Sequence, residues 1–134
     1  MRSKLLFITS VVLIVLLALL AGCGRTDRKS PADVVKAFYM AGNEGKYSEA
    51  EKYLSSEALV LMKSELGALV GGMKGAMDEA TKEGTIERIE ILEEEIRGEG
   101  ATVRLILHFR DGMKEEDDES LIQERGAWKI TAGS

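Results

Sequence analysis

The sequence predicts a single α+β domain in which helices come first and a meander of antiparallel strands follows. Apolar residues recur at helical spacing up to about residue 82, and after Thr85 they alternate with polar residues at the period of a strand. Turn signals that contain Gly divide the part of the chain after Thr85 into separate predicted strands. With 134 residues, of which 45% are hydrophobic and 31% charged, the chain has room for one core and no second domain.

The N-terminal segment has the order of a secretory signal. Arg2 and Lys4 precede an apolar run over residues 5–20, and small residues follow it. A transmembrane helix needs about 17 to 25 apolar residues, so the run also just reaches the lower limit for an uncleaved anchor. The ending Leu20-Ala21-Gly22-Cys23 favours a cleaved signal, because it resembles the lipobox of bacterial lipoproteins.

This resemblance implies that residues 1–22 are removed by signal peptidase II and that Cys23, the only cysteine, carries a diacylglyceryl group on sulfur. A fatty acyl chain such as palmitate is usually added to the new amino group. Because each buried methylene contributes about 0.8 kcal/mol, two or three chains would hold the protein permanently. Residues 23–29 are then a lipidated cysteine with a basic tether, and residues 30–132 form the folded domain. We expect attachment to the extracytoplasmic face of a membrane, with the outer membrane permitted by Gly24 if the source is Gram-negative.

The charge of the chain argues against a nucleic-acid-binding protein, and we expect no nucleic-acid partner. The formal net charge is -5, and loss of Arg2 and Lys4 with the signal takes it to -7. Nucleic acid attracts clusters of Lys and Arg, which an acidic domain lacks. The local exception is Arg25, Arg28 and Lys29 in the tether, each expected to gain about 1 kcal/mol against anionic lipid headgroups.

The first predicted helix follows directly after the tether, in "SPADVVKAFYMAGNEG". Ser30 is the expected N-cap, Pro31 takes the first helical position, and Asp33 lies near the positive end of the helix. Gly42 and Gly45 are expected to end it. A second, short helix is predicted in "KYSEAEKYL".

A third, longer helix is predicted from Ser55 or Ser56 to about Lys82, with Gly84 as its C-cap. Four glycines fall inside it, and each costs about 0.8 to 1 kcal/mol relative to Ala in a helix interior. Three explanations remain open for them: close packing on the domain's own sheet, a self-association face, or a mobile lid. The four are Gly67, Gly71, Gly72 and Gly75.

The strand half begins with an ambiguous segment. Residues 86–96 suit either a helix or a bulged strand, whereas residues 101–109 alternate cleanly and predict a half-buried strand. Gly98 and Gly100 supply the turn between them, so residues 86–109 are read as a long antiparallel hairpin. A third strand is predicted in "ESLIQE" and a fourth in "AWKIT", with Trp128 and Ile130 facing the core.

The stretches "SPADVVKAFYMAGNEGKYSEAEKYLS", "IEILEEEIRGEGATVRLILHFRDG" and "GAWKI" resemble the lipoprotein family known as domain of unknown function 4878. The resemblance covers about residues 30–131. It implies the nuclear transport factor 2 (NTF2)-like fold, a cone of N-terminal helices packed on a curved antiparallel sheet of about four strands. It also implies that residues 86–96 form a strand, that many relatives enclose a pocket, and that many dimerise through the sheet. The resemblance assigns no catalytic residues to this chain, because a fold does not by itself supply a function.

Nine residues are expected to line the interior of the cone, where they either form a pocket for a small apolar ligand or simply fill the core. Met side chains would give such a pocket an adaptable wall. The nine are Phe38, Tyr39, Met73, Met77, Val103, Leu105, Leu107, Phe109 and Trp128.

No catalytic, metal or cofactor site is predicted. Enzymes on this fold place an acid–base carboxylate and Tyr or protonated Asp donors inside the cone, and the predicted inner sheet face offers none. His108 is expected on the outer face of its strand, and the acidic run 115–119 is expected to be a solvated hairpin without the spacing of a calcium loop. The nearest helix-borne carboxylates are Asp33, Glu51 and Glu57.

These observations predict a lipid-anchored, non-enzymatic binding module that takes a small apolar ligand or an envelope protein. A small isomerase or hydrolase on the same fold is the first alternative. A structural envelope protein that forms a homodimer is the second.

Overall fold

The structure of the chain is a computed structural model that describes residues 28–64, 67–68, 71–81 and 85–133. The predicted signal peptide and Cys23 lie outside these ranges. Within them, no helix combines the length and apolar character needed to cross a membrane.

Helix α1 spans Pro31–Asn43 and begins at the predicted cap. The Ser30 hydroxyl accepts a hydrogen bond from the Asp33 amide at 3.2 Å, and the Asp33 carboxylate accepts one from the Ser30 amide at 3.4 Å. This reciprocal capping box satisfies two amides that a helix N-terminus otherwise leaves without partners. Gly42 does not end the helix as predicted. It lies in the last turn, where a Cβ atom would stand 1.8 Å from Cε of Met77, so a glycine there lets the two elements approach closely.

The predicted third helix is interrupted. Helix α2 (Tyr47–Ala50) runs into a 3-10 turn (Glu51–Tyr53), after which α3 (Ser56–Lys63) and α4 (Gly72–Thr81) are separate helices. Ser55 caps α3 with its hydroxyl 3.1 Å from the Ala58 amide. The prediction of one continuous helix is wrong. Helix α3 ends at its C-cap Ser64, whose ψ of 170° is extended. Gly71 and Gly72 then adopt φ angles of +84° and +63°, a left-handed conformation that glycine tolerates and that does not continue a right-handed helix.

The four strands form one antiparallel sheet in the order β1-β2-β3-β4, with β1 at Ile86–Arg97, β2 at Gly100–Phe109, β3 at Lys114–Glu124 and β4 at Ala127–Ile130. The β1–β2 pairing shifts register between Ile86 and Arg88 and again between Ile91 and Glu93. The bulged strand and the long hairpin are therefore confirmed, as is the α+β fold class.

The core lies between α1 and the inner face of the sheet. Val103, Leu105 and Leu107 of β2 are at most 1% exposed, and Val35 of α1 is completely buried against the same cluster. Strand alternation explains this arrangement, because every second residue of β2 points to the helices.

Candidate functional site

Strand β3 brings two carboxylates to the buried face of the sheet. Its register pairs Glu119 with Val103 and Asp117 with Leu105. Residues directly paired on antiparallel strands project to the same face, so both acids share the face that carries the core. The expectation of a solvated acidic hairpin at 115–119 holds for Glu115, Glu116 and Asp118, which are exposed, and is wrong for Asp117 and Glu119, which strand alternation turns inward.

Tyr39 of α1 meets these two carboxylates. Its hydroxyl oxygen lies 2.7 Å from Oδ2 of Asp117 and 2.6 Å from Oε1 of Glu119, and its side chain is almost wholly buried. A hydroxyl has one hydrogen and donates it to one acceptor at a time. When Glu119 is protonated, its own O–H donates to the Tyr39 oxygen while Tyr39 donates to Asp117. The geometry thus accommodates one proton on the carboxyls in addition to the hydrogen of the Tyr39 hydroxyl. We call Glu119, Tyr39 and Asp117 the acid–tyrosine cluster.

The electrostatics of the cluster place its titration near neutrality. Burial raises the pKa of Glu119 to about 7; the hydrogen bond from Tyr39 opposes this shift, and the charge of Asp117 adds to it. Burial raises the pKa of the Tyr39 hydroxyl well above its ordinary value, and the negative charge of Glu119 raises that pKa further. Tyr39 therefore stays neutral at physiological pH, whereas Glu119 exchanges between carboxylic acid and carboxylate.

An apolar cleft of about 430 Å³ opens over Glu119, between α1, α3 and the end of β4. Of the described residues that line it, Glu119 alone is ionisable. Leu61 stands at the rim, 46% exposed, which leaves the mouth of the cleft bordered by apolar surface. The other lining residues are Phe38, Leu54, Ala58, Met62, Gly67, Ile130, Thr131 and Ala132. We refer to this space as the Glu119 cleft.

The residues predicted to line the cone are distributed over three environments. Phe38 lines the Glu119 cleft. Trp128 is partly buried and lines a second cleft, between the 3-10 turn and β4. The remaining seven are buried in the continuous core: Tyr39, Met73, Met77, Val103, Leu105, Leu107 and Phe109. Tyr39 belongs to the core and also carries the polar contacts of the acid–tyrosine cluster.

The helix-borne carboxylates lie elsewhere. Asp33 caps α1, Glu57 is exposed on α3, and Glu51 is partly buried in the 3-10 turn; none is a hydrogen-bond partner of Tyr39. The two acids that do meet Tyr39 were missed by sequence reasoning. The available signal was the alternation of β3 itself, because counting back from the apolar Leu121 in steps of two reaches Glu119 and then Asp117.

His108 lies on the outer face of β2, paired with Arg88 as its strand alternation predicts, although it is only 8% exposed. Its Nδ1 lies 3.2 Å from the Arg88 guanidinium and its Nε2 lies 2.7 Å from Oε2 of Glu90. The guanidinium can only donate, so Nδ1 accepts and Nε2–H donates to Glu90. This hydrogen bond lowers the pKa of Glu90 and ties β1 to β2. Within the described ranges, no three His, Cys, Asp or Glu side chains are grouped as metal ligands.

Comparison with known proteins identifies a family and a fold. The family described as a domain of unknown function (DUF4878) matches residues 21–131. Among solved structures, a candidate NTF2-like transpeptidase from Campylobacter jejuni superimposes with a TM-score of 0.63 and 19% identity, covering 78% of this chain and 100% of that chain. An NTF2-like protein of unknown function from Shewanella baltica gives a TM-score of 0.53 and 16% identity, with 75% and 86% covered.

A SEC-C motif-containing protein from Rhodopseudomonas palustris gives a TM-score of 0.55 and 17% identity, covering 79% of this chain and 80% of that chain. No curated protein sequence matches the chain. At these identities the solved structures are evidence for the fold alone.

Proposed function

The chain belongs to the domain of unknown function 4878 family and has an NTF2-like fold, and from this premise we propose that it is a membrane-anchored binding module for a small amphiphile. The apolar part of the ligand occupies the Glu119 cleft, and its polar end meets the Glu119 carboxyl. The observation that carries the proposal is one partly buried, titratable carboxyl in the lining of an otherwise apolar cleft.

The chemistry of the cleft selects the ligand's polar group. A buried carboxyl is stable only with hydrogen-bond partners, so a bound ligand must supply a donor or an acceptor to it. An alcohol, an amide or an ammonium group meets this requirement. Above the pKa of Glu119, a ligand carboxylate would face a carboxylate with Asp117 close behind it, and like charges at short range repel. The cleft therefore favours neutral or cationic amphiphiles over anionic ones.

Methyl NMR of the full chain in lipid nanodiscs tests this selectivity. Met62 lines the Glu119 cleft, whereas Met113 lies 54% exposed in the β2–β3 turn and is an internal reference among the six methionines. At about pH 8, where Glu119 is ionised, we expect octanol and octylammonium to shift the Met62 methyl resonance. Octanoate should shift it far less, and none of the three should move Met113.

Two matched variants separate cleft binding from effects of ligand in the lipid. Ala132→Phe places a large side chain in the cleft and should suppress the Met62 shifts, whereas Val60→Phe makes a comparable change on an exposed position that does not line it. Met62 shifts that persist in Ala132→Phe, or equal responses to all three probes, would contradict the proposed site.

We propose that the module is held at the membrane by acylation of Cys23 and faces the extracytoplasmic space. The support is the signal-like order of residues 1–22 and their lipobox-like ending. The intact mass of the protein taken from its own membrane should correspond to a chain that begins at an acylated Cys23. An unmodified Cys23, or a chain that retains Met1, would refute the lipid anchor.

A second candidate function is proton transfer, which the acid–tyrosine cluster favours. A carboxyl that titrates near neutrality suits general acid–base catalysis, for example removal of a proton next to a substrate carbonyl. Such a reaction also needs a donor for the developing oxyanion. The Tyr39 hydroxyl is engaged by Asp117 and Glu119, and the Thr131 hydroxyl lies 3.3 Å from the Ser120 carbonyl. Binding is therefore the better-supported function.

Deuterium exchange separates the two candidates. An enzyme of this kind would replace the α-hydrogens of a small ketone with deuterium from D2O faster than buffer does, and Glu119→Gln would abolish the gain. Exchange at the buffer rate with the wild-type protein would exclude this activity.

A further inference from the structure

A second cleft, of about 460 Å³, lies beside the start of α1, between the 3-10 turn and β4. Four cationic side chains line it: Arg28, Lys29, Lys52 and Lys129. The lining contains one carboxylate, that of Glu49. We call this space the basic cleft; in a chain of formal charge -5 it is a local reversal of sign.

The cations of the basic cleft outnumber the nearby carboxylates, which are Glu49 in the lining and Glu124, whose pKa the charge of Lys129 helps to lower. In the described part of the chain, none of the four forms an ion pair with a carboxylate. Lys129 instead donates a hydrogen bond from its ammonium group to the backbone carbonyl of Lys52, which holds β4 against the 3-10 turn. Grouped positive charge without direct ion pairs is suited to an anionic surface.

The basic cleft also carries two amphipathic aromatic residues, Tyr53 and Trp128, both partly buried. Tyr and Trp favour the boundary between water and hydrocarbon, because each has an apolar ring with one polar group. The β3–β4 turn borders the cleft. Its central residues Arg125 and Gly126 have φ angles of 52° and 79°, as in a tight type I′ hairpin, and Gly126 lines the cleft.

The position of the basic cleft along the chain indicates which anionic surface it meets. Arg28 follows Cys23 closely, and residues 24–28 span at most about 18 Å even when fully extended. The cleft is therefore held near the bilayer whether Cys23 is acylated or the apolar run remains as an anchor. A soluble anion would not require the aromatic pair, whereas the headgroup region of a membrane accommodates both the cations and the rings.

We propose that the basic cleft docks on the headgroups of anionic phospholipids and thereby fixes the orientation of the domain on its membrane. This inference rests on the proposed membrane attachment but not on a ligand in the Glu119 cleft.

The test uses Trp128, which is the only tryptophan in the chain and reports on the basic cleft directly. The full chain is reconstituted into vesicles of phosphatidylcholine, alone or mixed with phosphatidylglycerol. With phosphatidylglycerol present, we expect Trp128 emission to shift to shorter wavelength and to be quenched by bromine-labelled phosphatidylglycerol. Both effects should weaken at high salt, since exposed charges are then screened within a few ångströms.

Charge variants locate the effect. The double variant Lys52→Gln and Lys129→Gln should reduce the docking equilibrium constant roughly 30-fold, since each cation near an anionic bilayer contributes about 1 kcal/mol. Arg28→Gln with Lys29→Gln should act in the same direction through exposed positions that precede α1. The matched control is Arg110→Gln with Lys114→Gln, which removes the same amount of charge. Lys114 lies about 30 Å along β3 from Gln123, the residue that pairs with Trp128, so docking should be unchanged.

Three outcomes would overturn the proposal. If the chain floats with both kinds of vesicle but Trp128 emission shifts with neither, the membrane attachment is supported and the docking proposal is refuted. If inorganic phosphate added to phosphatidylcholine vesicles reproduces the Trp128 shift, the cleft is a site for soluble anions. If the chain does not float with vesicles at all, the attachment and the docking fail together.

Discussion

Replacing Glu119 with Gln is expected to stabilise the protein by about 3 kcal/mol at about pH 8 and to have little effect at about pH 4.5. The pKa of this carboxyl rises from 4.5 to about 7 on folding, so the native state holds a proton that the unfolded chain releases between those values. The free energy of unfolding of the wild type therefore falls as pH rises through this window. Gln keeps an oxygen for Tyr39 and removes the charge.

Urea unfolding of the full chain across this pH window measures the effect. Asp118→Asn is the matched control: it is the next residue on β3, its side chain faces outward, and 65% of that side chain is exposed. Its stability should stay within about 0.5 kcal/mol of the wild type at every pH. A wild-type stability that is constant or rises from about pH 4.5 to about pH 7 would refute the buried-acid account of Glu119.

Replacing Tyr39 with Phe is expected to destabilise the protein by about 1.5 to 3 kcal/mol at about pH 8, the usual contribution of a hydrogen bond to a charged group. The change leaves two inward carboxylates without their shared donor. Because the Tyr39 hydrogen bond lowers the pKa of Glu119, its loss should also move that pKa above about 7. The loss of stability should therefore be smaller at acid pH, where Glu119 is uncharged.

Tyr47→Phe is the control for the loss of a tyrosine hydroxyl. The Tyr47 hydroxyl donates to Oδ1 of Asp78 at 2.9 Å. The hydrogen bond from Lys74, and after it the one from Tyr47, lowers the pKa of Asp78, so removing the Tyr47 hydroxyl should not change the pH dependence near 7. Combining Tyr39→Phe with Glu119→Gln gives the coupling between the two groups. Additive effects of the two changes would show that the short contact between Tyr39 and Glu119 does not contribute to stability.

The local elements were predictable because their signals are local. The Ser30 cap, the strict alternation of β2 and the turn at Gly98 need only neighbouring residues, and all three lie where they were expected. The break at Gly71 and Gly72 was not predictable in the same way. A glycine adopts right- and left-handed φ angles almost equally well, so its presence in an apolar-periodic segment does not decide whether the helix continues.

The acid–tyrosine cluster was missed for a different reason. Asp117 and Glu119 belong to the run of five acidic residues at 115–119, and a run of acids usually marks solvated surface. Only the pairing of β3 with β2 shows that these two residues share the face of Val103 and Leu105. Tyr39 approaches from a helix far away in the sequence, so the contact depends on tertiary structure. Residues that depart from the local pattern in this way are where function is most often found.

Native mass spectrometry of the full chain extracted from its own membrane tests the central claim most directly. The account predicts a small amphiphile bound non-covalently to the wild type and to Val60→Phe, and absent from Ala132→Phe, whose new side chain occupies the Glu119 cleft. Two findings together would contradict it: a wild-type protein that carries no such molecule, and a structure in which the side chains of Leu61 and Met62 close the cleft.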